Sequence, residues 1–209
     1  TSQNRLRGSL SLAQPNASPW SVAYSYDSIR RLTNVTSPAG AFGYQYMAAV
    51  AGSWSGSLVR KLSLPNGSGI TNDFDSVGRM LATVLRTSAG PYVSRHSYVY
   101  NLAGQRTRQT RYGTSYVDYT YDNAGQLQTA SGTEVGGALR LQEQLGYAYD
   151  AAGNLNYRTN NALIQTFGVN SLNELSAVTR TGTVTVAGTT TTNATSVTVN
   201  GSAASLYAD

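Results

Sequence analysis

The sequence predicts an all-β fold built from repeated antiparallel hairpins, and three observations support this prediction. A short motif, in which two aromatics are followed by Asp or Asn and then by Gly, recurs along the chain. Turn signals containing Gly, Pro and Asn separate short runs of β-forming residues. The 209 residues include 21 Gly and 15 Tyr but are only 12% charged. A helical bundle would need many more Ala, Leu, Glu and Lys.

The motif has a direct structural interpretation as a hairpin. Its second aromatic position falls at residues 26, 46, 74, 100, 121, 149 and 169. Two aromatics at i and i+2 lie on one face of a strand. The Asp or Asn opens a turn by accepting backbone N–H groups, and the Gly three residues later supplies the positive φ of a G1 bulge. The predicted turn residues are Asp27, Asp75, Gly78, Asn101, Gly104, Asp122, Gly125, Asp150, Gly153, Asn170 and Asn173.

Three copies depart from the motif. Asn173 takes the place of Gly in the last copy, and Asn is the next best residue for a left-handed backbone. Arg30 takes that place in the first copy, so we expect a distorted turn there. The copy that ends at Tyr46 has neither Asp nor a nearby Gly, which predicts a longer, irregular loop over residues 47–56.

Residues 74–80, 122–127 and 150–155 resemble the RHS/YD-repeat family, whose motif is Tyr-Asp-x-x-Gly-Arg/Asn-Leu about every 20 residues. The resemblance covers roughly residues 20–180. It implies a curved or spiralling antiparallel sheet, part of a hollow shell that encloses toxic polypeptides in bacterial toxin complexes and polymorphic toxins. Related shells occur in the teneurins of animals. The implied role is a non-catalytic structural segment of a large bacterial protein, secreted or at the cell surface.

The resemblance and the turn signals divide the chain into three parts. Residues 1–23 are predicted lead-in strands, 24–180 the YD-repeat sheet, and 181–209 a Thr-rich hairpin or the start of a further β module. In the tail, residues 183–186 and 195–199 are predicted strands, and we favour a hairpin that extends the sheet. Residues 138–145 suit either a short helix or a strand. The chain contains no Asp-Pro pair, so the self-cleavage known in toxin members of the family is not carried over to any residue.

Few residues have the chemistry of an active site, so we predict no enzymatic activity, no cofactor and no metal. Without Cys there is no disulfide, thiolate zinc site or Cys nucleophile. His96 is the only His and cannot form a typical zinc site alone. Asp73 and Asp75 could form a carboxylate pair of the kind that glycosidases use, but the motif already assigns Asp75 to a turn. The Gly-Ser-Trp-Ser-Gly segment at 52–56 is interpreted as a turn rather than a nucleophile elbow.

The expected partners follow from the fold. The arginines behind the net charge of +5 are spread along the chain, which disfavours nucleic acid. No apolar run approaches the roughly 18 residues of a membrane span. Unpaired sheet edges predict embedding in a longer parent chain or self-association, together with an enclosed toxin polypeptide. The alternative is a carbohydrate- or surface-binding β module with a surface glycan as its ligand. Its candidate ligand-facing aromatics are Tyr98, Tyr100, Tyr119, Tyr121, Tyr147 and Tyr149.

Overall fold

The computed structural model describes residues 6–186 apart from 48–55, and then residues 188, 190, 192 and 194–206. The chain divides into two compact units, Thr1–Ser97 and Tyr98–Asp209. The described residues contain strands and turns and no helix. The first unit contains β1 (Ser9–Gln14), β2 (Ala17–Tyr26), β3 (Leu32–Ser37), β4 (Gly40–Tyr46), β5 (Val59–Ser63), β6 (Gly69–Phe74) and β7 (Met80–Arg86), and β8 (Tyr92–Tyr100) runs across the boundary. The second contains β9 (Arg106–Arg111), β10 (Tyr116–Tyr121), β11 (Leu127–Thr133), β12 (Leu139–Tyr149), β13 (Leu155–Asn160), β14 (Leu163–Val169), β15 (Leu175–Thr181), β16 (Thr198–Val199) and β17 (Ser202–Ala203).

The strands follow one another in the sheet in the order of the chain. Strands β1 to β15 form a 15-stranded sheet in which each strand is hydrogen-bonded to the strands before and after it in sequence. Every strand pairing described within the two units is antiparallel. The predicted all-β antiparallel sheet of hairpins is therefore confirmed. Segment 138–145, which the sequence left open between helix and strand, lies mostly within β12.

A register shift marks the second aromatic position of the motif. Tyr26 pairs with Leu32, Phe74 with Met80, and the same offset recurs at Tyr46, Tyr121, Tyr149 and Val169. One strand gains a residue at each of these places, as a G1 bulge requires. Side chains alternate between the two faces of a strand. The extra residue therefore places the aromatic residue before the turn and the apolar residue after it on the same face of the sheet.

Burial is shallow throughout the sheet. Among the described residues, the buried apolar side chains are Val22, Val84, Val117 and Ala130. Most other strand residues are half-buried, as in the uniform pattern of β9. The two outer strands of the order, β1 and β15, are exposed along their whole length.

The tail differs from its prediction. Residues 183–186 form no strand, and β16 pairs with β17 in a separate two-stranded sheet, so the prediction that a tail hairpin extends the main sheet is wrong. Gly182 has a φ of +86°, and a Cβ there would lie 1.8 Å from the carbonyl oxygen of Ala162. Asn161 then donates a side-chain hydrogen bond of 2.6 Å to Thr185. The chain thus crosses the β13–β14 turn instead of folding back along β15.

Candidate functional site

The predicted repeat turns share one backbone geometry. In each, the amide of the first residue donates to the carbonyl of the fifth, and the amide of the fourth donates to the carbonyl of the first, at 2.9–3.1 Å. The fourth residue has a φ between +60° and +84°. These turns begin at Asp27, Asp75, Asn101, Asp122, Asp150 and Asn170.

The turn that contains Arg30 is not distorted. Arg30 has a φ of +68°, and both backbone hydrogen bonds are present at 2.9 and 3.0 Å. The expectation of a distorted turn is wrong because the backbone adopts the left-handed conformation despite the side chain, which is exposed. The connection after Tyr46 is longer than the repeat turns, since Tyr46 pairs with Val59. Most of that loop, and most of segment 52–56, lies outside the described residues.

The Asp and Asn side chains satisfy the amides inside their turns. Asp75 Oδ1 accepts the amides of Val77 and Arg79 at 3.1 and 2.8 Å, and its Oδ2 accepts Arg79 Nε at 2.6 Å. Partial burial opposes ionisation of Asp75, but the bonds and the charge from Arg79 outweigh it and lower its pKa. Asp27, with Arg31, repeats this arrangement, and its pKa is lowered in the same way.

Asp150 shows that the arrangement does not need an arginine. Its Oδ2 accepts the side-chain amide of Asn154 at 3.0 Å, and its Oδ1 accepts the backbone amide of the same residue at 2.9 Å. These two bonds are the main reason why the pKa of Asp150 is lowered. The charge of the Asp is also dispensable, because Asn170 accepts the amides of Leu172 and Glu174 in the same geometry.

Neighbouring turns are joined to one another by the fifth residue of the motif. Gln105 donates to the carbonyl of Gly125 at 3.2 Å, and Asn154 donates to Asn173 Oδ1 at 2.9 Å. In the first unit, Arg31 donates to the carbonyl of Gly56 at 3.0 Å. Two pairs of repeat turns are therefore joined by hydrogen bonds, those that begin at Asn101 and Asp122 and those that begin at Asp150 and Asn170.

The six candidate aromatics are all half-buried, in pairs on β8, β10 and β12. Burial raises the pKa of Tyr119, opposed by the positive charges of Arg106 and Arg111, and burial also raises the pKa of Tyr149. The Tyr121 hydroxyl donates to the carbonyl of Arg106 at 2.8 Å, as Tyr46 does to Leu32 at 2.7 Å. These hydroxyls bond to the adjacent strand.

A concavity of about 390 Å³ brings part of this set together. Its lining consists of Tyr100, Gly104, Arg106, Tyr119, Tyr121 and Leu127. The guanidinium of Arg106 lies 3.9 Å from the centroid of the Tyr98 ring. Tyr147 and Tyr149 do not line the concavity. That these aromatics face a ligand stays a prediction.

A buried ion-pair network was not predicted from the sequence. Arg140 Nη2 lies 2.6 Å from Glu134 Oε2, and the two side chains are only 10% and 4% exposed. Arg140 also lies 3.9 Å from Glu143, which accepts two bonds from Arg111 at 2.7 and 2.9 Å. The register of β11 against β12 shifts between Ser131 and Thr133, and the extra residues of β12 carry Arg140 and Glu143. In the sequence, segment 138–145 carries charged residues, but nothing in the sequence indicates which residues they pair with.

His96, Asp73 and Asp75 were considered for catalysis, and each lies in or next to a strand of the sheet. His96 lies half-buried on β8 opposite Thr83, with Nε2 3.4 Å from Ser94 Oγ. Asp73 is exposed, whereas both oxygens of Asp75 accept bonds within its own turn. Within the described part of the chain, no group of three or more His, Asp or Glu is placed to hold a metal ion. No helix long and apolar enough to cross a membrane occurs among the same residues.

Comparison with known proteins gives a likeness in structure alone. No family model and no curated protein matches the sequence. The crystal structure of TcdB2-TccC3 without its hypervariable C-terminal region matches with a TM-score of 0.50 at 17% identity, over 77% of this chain. TcdB2-TccC3-Cdc42 has a TM-score of 0.49 at 15% identity over 77% of this chain, and the Tc holotoxin pore of Photorhabdus luminescens has 0.48 at 14% over 72%.

At this level of identity, the likeness to TcdB2-TccC3 extends to the fold and no further. The chain spans only 7% of the length of the two TcdB2-TccC3 chains and 10% of the chain in the holotoxin pore. It is thus similar to a small part of much longer chains.

Proposed function

We propose that this chain is a non-catalytic wall segment of an RHS/YD-repeat shell that encloses a polypeptide, within a larger bacterial protein that is secreted or held at the cell surface. The observation that carries the proposal is the recurrence of one turn geometry, with the same side-chain acceptor in each copy. Such regularity extends a sheet hairpin by hairpin. The fold of the TcdB2-TccC3 chain, which is similar over 77% of this chain, supports the same proposal.

The mechanism of such a wall is steric. A continuous sheet separates an enclosed chain from its surroundings, and it needs no reactive group. The residues that the motif repeats are already used by the wall: Asp75 satisfies turn amides, Gln105 joins two turns, and Tyr121 bonds to the neighbouring strand. We infer that these side chains have a structural rather than a catalytic role.

The exposed outer strands suggest how the segment is completed. An outer strand offers a row of backbone groups that another strand can pair with. We expect β1 and β15 to pair with further hairpins of a parent chain, or with other copies when the 209-residue chain is alone. Sedimentation velocity should then show concentration-dependent self-association.

This pairing is tested by comparing a lysine placed on the outer strand with a lysine placed in an exposed turn. Thr179→Lys places a cation on β15 and should weaken association, because Lys on an edge strand disfavours pairing. Ser76→Lys adds the same charge at an exposed turn residue and should leave association unchanged. A stable monomer for the wild-type chain would contradict the expected edge pairing.

Enclosure itself is tested on the parent protein. The coding sequence on both sides of this segment should encode further YD hairpins and a toxin-like C-terminal domain. In the purified parent, that domain should resist added protease until the shell is opened by mild denaturant. Immediate digestion of the domain while the repeats stay intact would refute the proposal.

A further inference from the structure

Among the residues that the structure describes, Arg106 is a cation without a counter-charge. Four arginines stack on tyrosine rings in the described residues. Arg31 and Arg108 each also pair with an aspartate, and Arg86 donates to the carbonyl of Gly90. The guanidinium of Arg106 forms no such bond within the described residues, and its Nε is buried without a hydrogen-bond partner. A cation that is partly removed from water and unpaired favours an anion, because such a pair restores the lost interaction.

The surroundings of Arg106 determine what else a ligand needs. The concavity is lined by three tyrosine rings and by Leu127, so most of its surface is apolar. Two of its phenol hydroxyls are already engaged, since Tyr119 donates to Gln109 at 3.4 Å and Tyr121 to the carbonyl of Arg106 at 2.8 Å. Few donors are left for the several hydroxyls of a sugar. A flat apolar group with a single anion fits this lining better.

We propose that this concavity binds a carboxylate joined to a flat apolar group, carried by a polypeptide that lies against this face of the sheet. The rings of Tyr100, Tyr119 and Tyr121 contact the apolar group, and the Arg106 guanidinium takes the carboxylate. Stacking on Tyr98 holds the guanidinium in place, so little side-chain freedom is lost on binding. This inference rests on the proposed function in one respect: the polypeptide that binds here is the one that the shell encloses.

Two small probes test the site on the whole 209-residue chain. N-acetylphenylalanine has the ring and the carboxylate, and N-acetylphenylalaninamide has the ring and a neutral amide. In NMR titrations that follow the tyrosine ring signals, we expect the carboxylate to bind about tenfold more tightly, as befits a charge-assisted hydrogen bond. Equal affinity for the two probes would overturn the proposal.

Substitutions on β9 assign the effect to one side chain. Arg106→Gln should abolish the preference for the carboxylate. Arg108→Gln is the matched control, since Arg108 lies on the same strand and stacks on Tyr116 at 4.0 Å but already pairs with Asp118, and the preference should persist. If Arg106→Gln fails to fold, Arg106→Lys keeps the charge but loses the planar fork, and it should retain only part of the preference. An unchanged preference in a folded Arg106 variant would refute the assignment.

A sugar carboxylate distinguishes the source of the ligand. Glucuronate should bind more weakly than N-acetylphenylalanine, because the free donors for its hydroxyls are few. Tighter binding of glucuronate would overturn the assignment to a polypeptide in favour of an acidic glycan. These results are independent of the protease test on the parent protein, since a steric wall functions without this site and the site can bind its probes outside a shell.

Discussion

Replacing Glu134 by Gln removes the negative partner of Arg140 from the ion pair with the least exposure in the described residues, at 10% and 4%. Loss of one partner from a buried pair costs about 3–5 kcal/mol, because the remaining charge stays buried without compensation. Glu143 Oε2 lies 3.9 Å from Arg140 Nε and retains part of that compensation. We therefore expect Glu134→Gln to lower the free energy of unfolding by about 3 kcal/mol.

Urea unfolding followed by tyrosine and tryptophan fluorescence measures this difference. The double variant Glu134→Leu/Arg140→Met removes both charges and should lie within about 1 kcal/mol of wild type, since a well-packed apolar pair can replace a buried ion pair. Asp118→Asn is an exposed control, because the Arg108–Asp118 pair is 43% exposed on both sides and should contribute less than about 1 kcal/mol. A loss below about 1 kcal/mol for Glu134→Gln would refute the reasoning that Glu134 compensates the buried charge of Arg140.

Three further predictions concern the backbone and pH. Gly132→Ala should cost about 1–3 kcal/mol in urea unfolding, because the new Cβ would lie 2.8 Å from the Cβ of Glu143; Gly43→Ala, whose nearest contact is 3.7 Å, should cost nothing measurable. Arg30→Asn should raise the free energy of unfolding by up to about 1 kcal/mol, since Asn adopts the left-handed φ of this position at a lower cost than Arg, and a loss of stability would contradict this. The pKa of Asp75 is lowered in the folded state, so its contribution is present at neutral pH and is lost as the pH falls from 3.8 through the folded pKa. Asp75→Asn should reduce the drop in stability between pH 5 and pH 3 in the same assay, and an unchanged drop would contradict the assignment.

The repeat turns were predictable because each depends on residues close together in sequence. Asp122 accepts the amides of Ala124 and Gln126 within one five-residue turn, and Gly125 supplies the positive φ at its fourth position. The identity and spacing of these residues are enough to specify the hairpin. Arg30 was misjudged because a turn held by two backbone hydrogen bonds and by the Asp27 side chain imposes its conformation even on an unfavourable residue.

The candidate site was predicted only in part. The motif placed Tyr119 and Tyr121 on one face, but Arg106 joins them because the register brings β9 beside β10. The Glu134–Arg140 pair depends on a bulge whose length no local pattern announces. The course of the tail was predicted wrongly for a similar reason, because it is determined by contacts of Gly182 and Thr185 with a turn about 20 residues earlier.

The sequence alone determined the strand class, the turn positions and the order of hairpins, because these follow from interactions between residues a few positions apart. It also explained a composition rich in Tyr and Gly and poor in charge. The tertiary structure decided which side chains meet across strands: Arg106 beside its tyrosines, with no ion-pair partner in the described part of the chain, the buried ion network, and the separate tail hairpin. These depend on register and on bulge length, and a shift of one residue moves every side chain of a strand to the opposite face.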